Sequence, residues 1–312
     1  DYSFWNPDNT PTVGRLAVFV HEYLHFVHNF STIAGLSDFD VQLRLLHPFC
    51  NTVETDGLSA GSSVLDAVHG HETQQLLEWR THLRGHVGNE ITIELKPLRA
   101  HPQFVKYAST KRIVHVGGSD IECHGVVVTF DKSSHFPGES AFEMSIGSDI
   151  LMEGCALEAE CMLFERAGLS ANALRRGAPV YPYQTARAIF ECIVGVAPSS
   201  IFLCSLCLLA LQSTDPGDAF IQLVCASKTG AKKIDEETLL KEFKASSDAT
   251  TTAFLRKFLK DTLEPDIAPF KERGHAGSGL VRMANWSLAF VHERVKDSSF
   301  EIAAIDKMPD VS

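Results

Sequence analysis

Residues 21–25 read His-Glu-Tyr-Leu-His, two imidazoles four positions apart with a carboxylate beside the first. On a helix that spacing leaves the rings about 40° out of line, so His21 and His25 project from one face a turn apart. Two ring nitrogens placed that way can share one Zn²⁺ at roughly 2.0–2.1 Å. Glu22 falls on the adjacent flank. It does not easily reach the same ion, but it can hold a water against the metal and take its proton, the general-base role in hydrolysis. A metal ion brings the pKa of such a water toward about 7. Glu22 is therefore the expected catalytic base, and one Zn²⁺ per chain the expected cofactor.

The flanks must form the helix that presents these groups. Leu16 to Val20 lead in and Phe26, Val27, Phe30 and Ile33 follow at helical spacing. Thr10-Pro11-Thr12 predicts the N-terminus and Gly35 the stop. A catalytic zinc usually takes three protein ligands. The extended pattern with a third His six residues on does not apply, because His28 stands where it needs Gly and Ser31 where it needs His. The best third ligand is Glu153. Ser148 and Asp149 predict a helix N-terminus, the run stays helical to about Arg166, and Gly168 predicts its end. Gly154 and Ala156 flank Glu153; an interior helical Gly costs about 1 kcal/mol, so close approach of the two zinc helices is the expected reason for it. Glu158 lies about 140° around this helix from Glu153 and is expected to face solvent. Glu160, seven residues after Glu153, returns to nearly the same face.

Together, His-Glu-Tyr-Leu-His and Glu153-Gly-Cys-Ala-Leu-Glu-Ala-Glu160 resemble the two zinc helices of the gluzincin metallopeptidases. Alanyl/leucyl-type aminopeptidases and clostridial collagenases carry a similar second motif, and the resemblance covers the zinc helices only. It implies His21, His25 and Glu153 as metal ligands and Glu22 as base. It also implies Glu160 as the carboxylate that orients a ligating His. A Tyr of Tyr181-Pro-Tyr183 could supply the hydroxyl that gluzincins often use in the transition state. The gap between the motifs is longer than in those families, and the aminopeptidase Gly-x-Met-Glu-Asn motif is absent.

With 312 residues, 45% of them hydrophobic and 21% charged, the chain has ample material for a core. The net charge is −11 and no basic block occurs, so nucleic acid is not an expected partner. The longest apolar run, Ile189 to Leu211, is interrupted by Glu191 and by residues 195–200, so no membrane span is expected. Of eight Cys, Cys155, Cys161, Cys192, Cys204, Cys207 and Cys225 sit in apolar helical surroundings and read as buried thiols. The Cys204-Ser-Leu-Cys207 pair reads as core packing, and a reducing, cytoplasmic compartment is expected.

The rest of the chain reads as α+β and zincin-like: mostly helical, with an antiparallel or mixed sheet inserted between the two zinc helices. Helices are predicted at 40–49, 63–86, 185–194, 200–211, 216–226, 236–245, 250–263 and 280–295. Strands are predicted at 91–95, 111–116, 121–130 and 141–146. Residues 1–230 are the expected peptidase domain, with the sheet-rich stretch near 90–147, and 231–312 a helical subdomain. An edge strand could hold an extended peptide. His28 shares the helix face of His21 and reads either as a cleft residue or as a core His. His275 reads as part of a flexible linker, and His69, His71, His82 and His86 as surface positions. The expected substrate is a peptide or protein, and a regulatory protein partner is compatible. The competing readings are a non-catalytic scaffold that keeps the helix pair, and a small-molecule metallohydrolase.

Overall fold

The computed structural model describes residues 12–52, 70–87, 103–116, 119–131, 142–230, 235–271 and 274–308. Helix α1 spans Val13–Ser31 and buries Ala17, Val20, Leu24 and Val27, the stripe its apolar spacing dictates. Thr12 is its N-cap but makes no side-chain capping bond. The helix ends at Thr32, not at Gly35. Thr32 is extended, and its hydroxyl bridges the turn by donating to the His28 carbonyl and accepting from the Gly35 N–H. Gly35 lies inside α2, Ile33–Thr52. A Cβ at Gly35 would come within 2.2 Å of the His28 carbonyl oxygen, so its missing side chain is what lets α2 turn back against α1.

Helix α3, His71–Arg84, leads into an antiparallel sheet of β1 (His86–Val87), β2 (Gln103–Val116), β3 (Ser119–Asp131) and β4 (Phe142–Ile146), in the order β1-β4-β3-β2. Val126, Val128 and Phe130 of β3 join Met144 and Ile146 in the main core, one face of an alternating strand. Cys123 and Val114 belong to a different apolar cluster with Val41, Leu76, Trp79 and Leu83. The two faces of the sheet thus serve different clusters, and the sheet lies between the two motif helices in sequence, as expected.

Helix α4, Ser148–Arg166, follows β4 directly, with Gly147 rather than Ser148 as its N-cap. It is buried on nearly every side, from Ile150 and Leu151 to Met162 and Leu163. Helix α5 (Ala171–Gly177) and an irregular turn (Val180–Gln184) bring the chain to α6, Thr185–Val194. Helices α7 (Ser200–Ala210) and α8 (Pro216–Gly230) complete the main core around α4. Helix α9 runs unbroken from Glu236 to Phe258, where the sequence predicts a gap at 246–249. The buried Thr251 and Leu255 anchor its second half. The chain continues through Leu259–Leu263 and α10 (Glu264–Ile267) to α11 (Gly274–Lys296) and α12 (Phe300–Asp306). A second core joins Phe30, Leu36, Phe39 and Leu43 to Leu255, Leu263 and Val291. Leu239, Ile302 and Ile305 pack into the main core.

Three further expectations change. His275 lies in the first turn of α11 and not in a linker. Cys192 is exposed and Cys225 half-buried, whereas Cys155, Cys161, Cys204 and Cys207 are buried as expected. The start of the helix predicted at 63–86 and the strand predicted at 91–95 fall outside the described residues. No described helix is long and apolar enough to cross a membrane.

Candidate metal centre

Packing of α1 against α4 brings the two motifs face to face. His21 Nε2 lies 3.0 Å from His25 Nε2 and 3.2 Å from Glu153 Oε2, and His25 Nε2 lies 3.3 Å from the same carboxylate oxygen. These atoms form a near-equilateral triangle. A tetrahedral ion with ligands at roughly 2.0–2.1 Å spaces its donors by roughly 3.3–3.4 Å, so the triangle matches such a cation to within a few tenths of an ångström. Two imidazoles and one carboxylate are also the donor types that borderline divalent ions take. The donor set and its spacing therefore fit a divalent cation.

Glu160 stands behind the triangle. Its Oε1 is 2.5 Å from His21 Nδ1, which fixes the ring so that Nε2 faces His25 and Glu153. The electrostatics follow from this clustering. Burial opposes a proton on His21, but hydrogen bonds and charge from Glu153 and Glu160 outweigh it and hold His21 at about 9. Burial likewise opposes charge on Glu153, and the two imidazoles overcome it, holding that carboxyl down at about 2.

Glu22 is exposed and lines a cavity of about 620 Å³ together with His21, Glu160 and Tyr183. The other lining residues include Val18, Leu157, Leu174 and Pro179, so the wall is largely apolar and comes from α1, α4, α5 and the turn that follows. The sheet contributes none of these residues. The Tyr183 ring centroid is 5.8 Å from that of His21. Burial, then the carboxylates of Glu153, Glu160 and Glu22, push its phenol up, so the hydroxyl keeps its proton. Tyr181 is half-buried and packs on the main core. His28 is not in the cavity: it is fully buried behind α1, 3.7 Å from Glu301, with no hydrogen-bond partner for either ring nitrogen.

Two structural roles differ from the sequence reading. Gly154 faces α6, where a Cβ would come 3.1 Å from that of Ala186 and 3.7 Å from the Tyr183 carbonyl; it admits the Tyr183 segment rather than α1. Glu158 is not solvated but 1% exposed. Its two oxygens receive Nε and Nη2 of Arg187 at 2.7 Å each, and Arg175 Nη2 at 2.8 Å. Arg175 and Arg187 follow Glu158 by 17 and 29 residues, so no local pattern announces the pairing. The cluster ties α4 to α5 and α6, while Gln184 donates to the Arg175 and Ala178 carbonyls. Together they fix the cavity wall and the turn that carries Tyr183.

No family model, curated protein or solved structure matches this chain.

Proposed function

We propose that the chain is a zinc metallopeptidase of gluzincin type, with a zincin-like arrangement of α1 and α4. The reading is carried by one observation: His21 Nε2, His25 Nε2 and Glu153 Oε2 converge from two distant stretches at 3.0–3.3 Å. These three residues would hold Zn²⁺, whose Lewis acidity activates water and polarises a peptide carbonyl. Glu22 takes the proton of the attacking water. Glu160 holds His21 in the tautomer that leaves Nε2 free to ligate. Tyr183, kept protonated by burial and by its anionic neighbours, donates a hydrogen bond to the oxygen that becomes negative. The apolar wall of Val18, Leu157, Leu174 and Pro179 suits an uncharged substrate side chain beside the reacting bond.

The test is a proteome-derived peptide library incubated with the zinc-loaded chain and read by mass spectrometry. Wild type is expected to cleave it, and Glu22→Gln to keep its zinc while losing cleavage. Equal cleavage by Glu22→Gln would remove the assigned base. A zinc-loaded wild type that cleaves nothing would favour the scaffold reading.

A further inference from the structure

The sequence reads His82 as a surface residue, yet its side chain is 6% exposed. It faces Asp215, which stands just before α8, and Cys123 on β3, fully buried. One ligand atom from each of the three lies within 4.8 Å of the other two. We propose that His82, Cys123 and Asp215 form a second cation site, selective for a borderline-soft divalent ion such as Zn²⁺, that clips β3 to α3 and to the start of α8.

Each ligand is already oriented. The Trp79 ring stacks on His82 with centroids 5.8 Å apart and planes 25° from parallel, which sets the imidazole. His82 Nε2 lies 2.7 Å from Asp215 Oδ1, and the same oxygen accepts the His124 N–H at 2.9 Å. That N–H is available because β4 pairs with β3 only over Val126–Phe130, leaving the edge at His124 open. The Asp215 carboxylate covers it. Cys123 and Gly125 share a strand face that looks toward His82: a Cβ at Gly125 would meet His82 Cε1 at 3.7 Å, ordinary van der Waals contact, and its tight neighbour would be Thr110 Oγ1 at 2.8 Å. The Cys123 thiol makes only a long contact, 3.7 Å, to the Ile121 carbonyl, so its sulfur is uncommitted.

The donor set narrows the ion. Thiolate with imidazole selects Zn²⁺ and similar ions over Mg²⁺ or Ca²⁺, which prefer oxygen. A tetrahedral ion sets its N, O and S donors roughly 3.3–3.6 Å apart. The His82–Asp215 pair, at 2.7 Å, must therefore open by about half an ångström, and pairs within the 4.8 Å bound close by about an ångström at most, within reach of a Cys or Asp side-chain rotation. On binding, the ion takes the place of the Cys123 thiol proton, which leaves to solvent, and coordinates His82 as the neutral imidazole with its N–H on the other ring nitrogen. Asp215, the most accessible of the three at 20%, marks the side where water completes the shell.

The experiment is Co²⁺ titration of the metal-free full chain. A thiolate bound to Co²⁺ gives an intense near-ultraviolet charge-transfer band that the His21, His25 and Glu153 donors do not give. The two sites, and the failure of either reading, are thus separable. Wild type is expected to show the band and bind two ions. Cys123→Ser should lose the band and one ion, while His25→Ala should keep the band and lose the other ion. Because Cys123→Ser sits in a core and can fail to fold, His82→Ala and Asp215→Asn are read alongside it. Each should weaken the Co²⁺ affinity reported by the band by roughly tenfold or more. No band in wild type, a band that survives Cys123→Ser, or unchanged affinity in both His82→Ala and Asp215→Asn would overturn the proposal.

Discussion

Replacing Glu160 by Gln isolates the support given to His21. The amide keeps the size of the carboxylate and its oxygen can still accept from Nδ1, so what is lost is charge. A hydrogen bond to a charged group contributes roughly 1.5–3 kcal/mol against roughly 0.5–1.5 for a neutral one, a difference of about 1–1.5 kcal/mol. The 2.5 Å contact and the 13% exposure of the Glu160 side chain place this bond at the strong end, with little solvent screening to discount. Zinc affinity at the His21 centre should therefore fall about tenfold. The 10- to 100-fold range typical of such orienting partners sets the upper end. The assay is competition with a chromophoric zinc chelator, following the binding step that His25→Ala abolishes. Glu165→Gln, on the same helix but exposed, is the control and should stay within about twofold, as expected for a screened surface charge. An unchanged affinity in Glu160→Gln, or an equal loss in both variants, would refute the argument that the Glu160 charge strengthens His21 as a ligand.

Gly35→Ala places a methyl group against the His28 carbonyl and should cost about 1–3 kcal/mol, read as a lower urea midpoint; an unchanged midpoint would refute the close approach of α1 and α2. Glu158→Gln leaves two guanidinium groups without their anion and should destabilise by about 3–5 kcal/mol at pH 7. Burial opposes its charge, but Arg187 and Arg175 hold the Glu158 carboxyl below its ordinary 4.5. Its contribution is therefore complete above that pH and lost as pH falls through the folded value, so the gap between wild type and variant should shrink in acid. A gap independent of pH would count against the ion pair. Asp40 runs the other way: burial and a hydrogen bond to Asp266, only partly offset by Arg44, push its carboxyl up to about 8. The protonated form stabilises the fold below the ordinary carboxylate range, and that contribution is lost as pH rises toward 8. Wild type should thus lose thermal stability relative to Asp40→Asn between pH 5 and pH 8 (about where the group titrates), and parallel melting curves across that range would contradict it.

Much of the candidate centre was legible because it is written in local spacing. His21 and His25 are one turn apart, and Glu153 and Glu160 are two turns apart, so each motif declares its own helix face. The bounds of α4, from Ser148 to Arg166, and the positive φ of Gly168 beyond its end follow from the same local chemistry. Long-range partners were not legible. Glu158 reads as a solvent-facing carboxylate until Arg187 and Arg175 fold over it. His82, Cys123 and Asp215 come from a helix, a strand and a loop, with no spacing that links them. Gly35 carries the same residue type as a helix stop, and only the return of α2 over His28 shows that close approach is its role. The Ser-Ser-Asp stretch at 246–248 has weak helix propensity, but burial of Thr251 and Leu255 carries α9 through it.

The central claim is that one cation joins α1 to α4. The direct measurement is an anomalous-difference map, collected across the zinc absorption edge, of crystals of the zinc-loaded chain. A peak at roughly 2.0–2.2 Å from His21 Nε2, His25 Nε2 and a Glu153 carboxylate oxygen is the expected result. A zinc-loaded crystal with no density among those three groups would contradict the account.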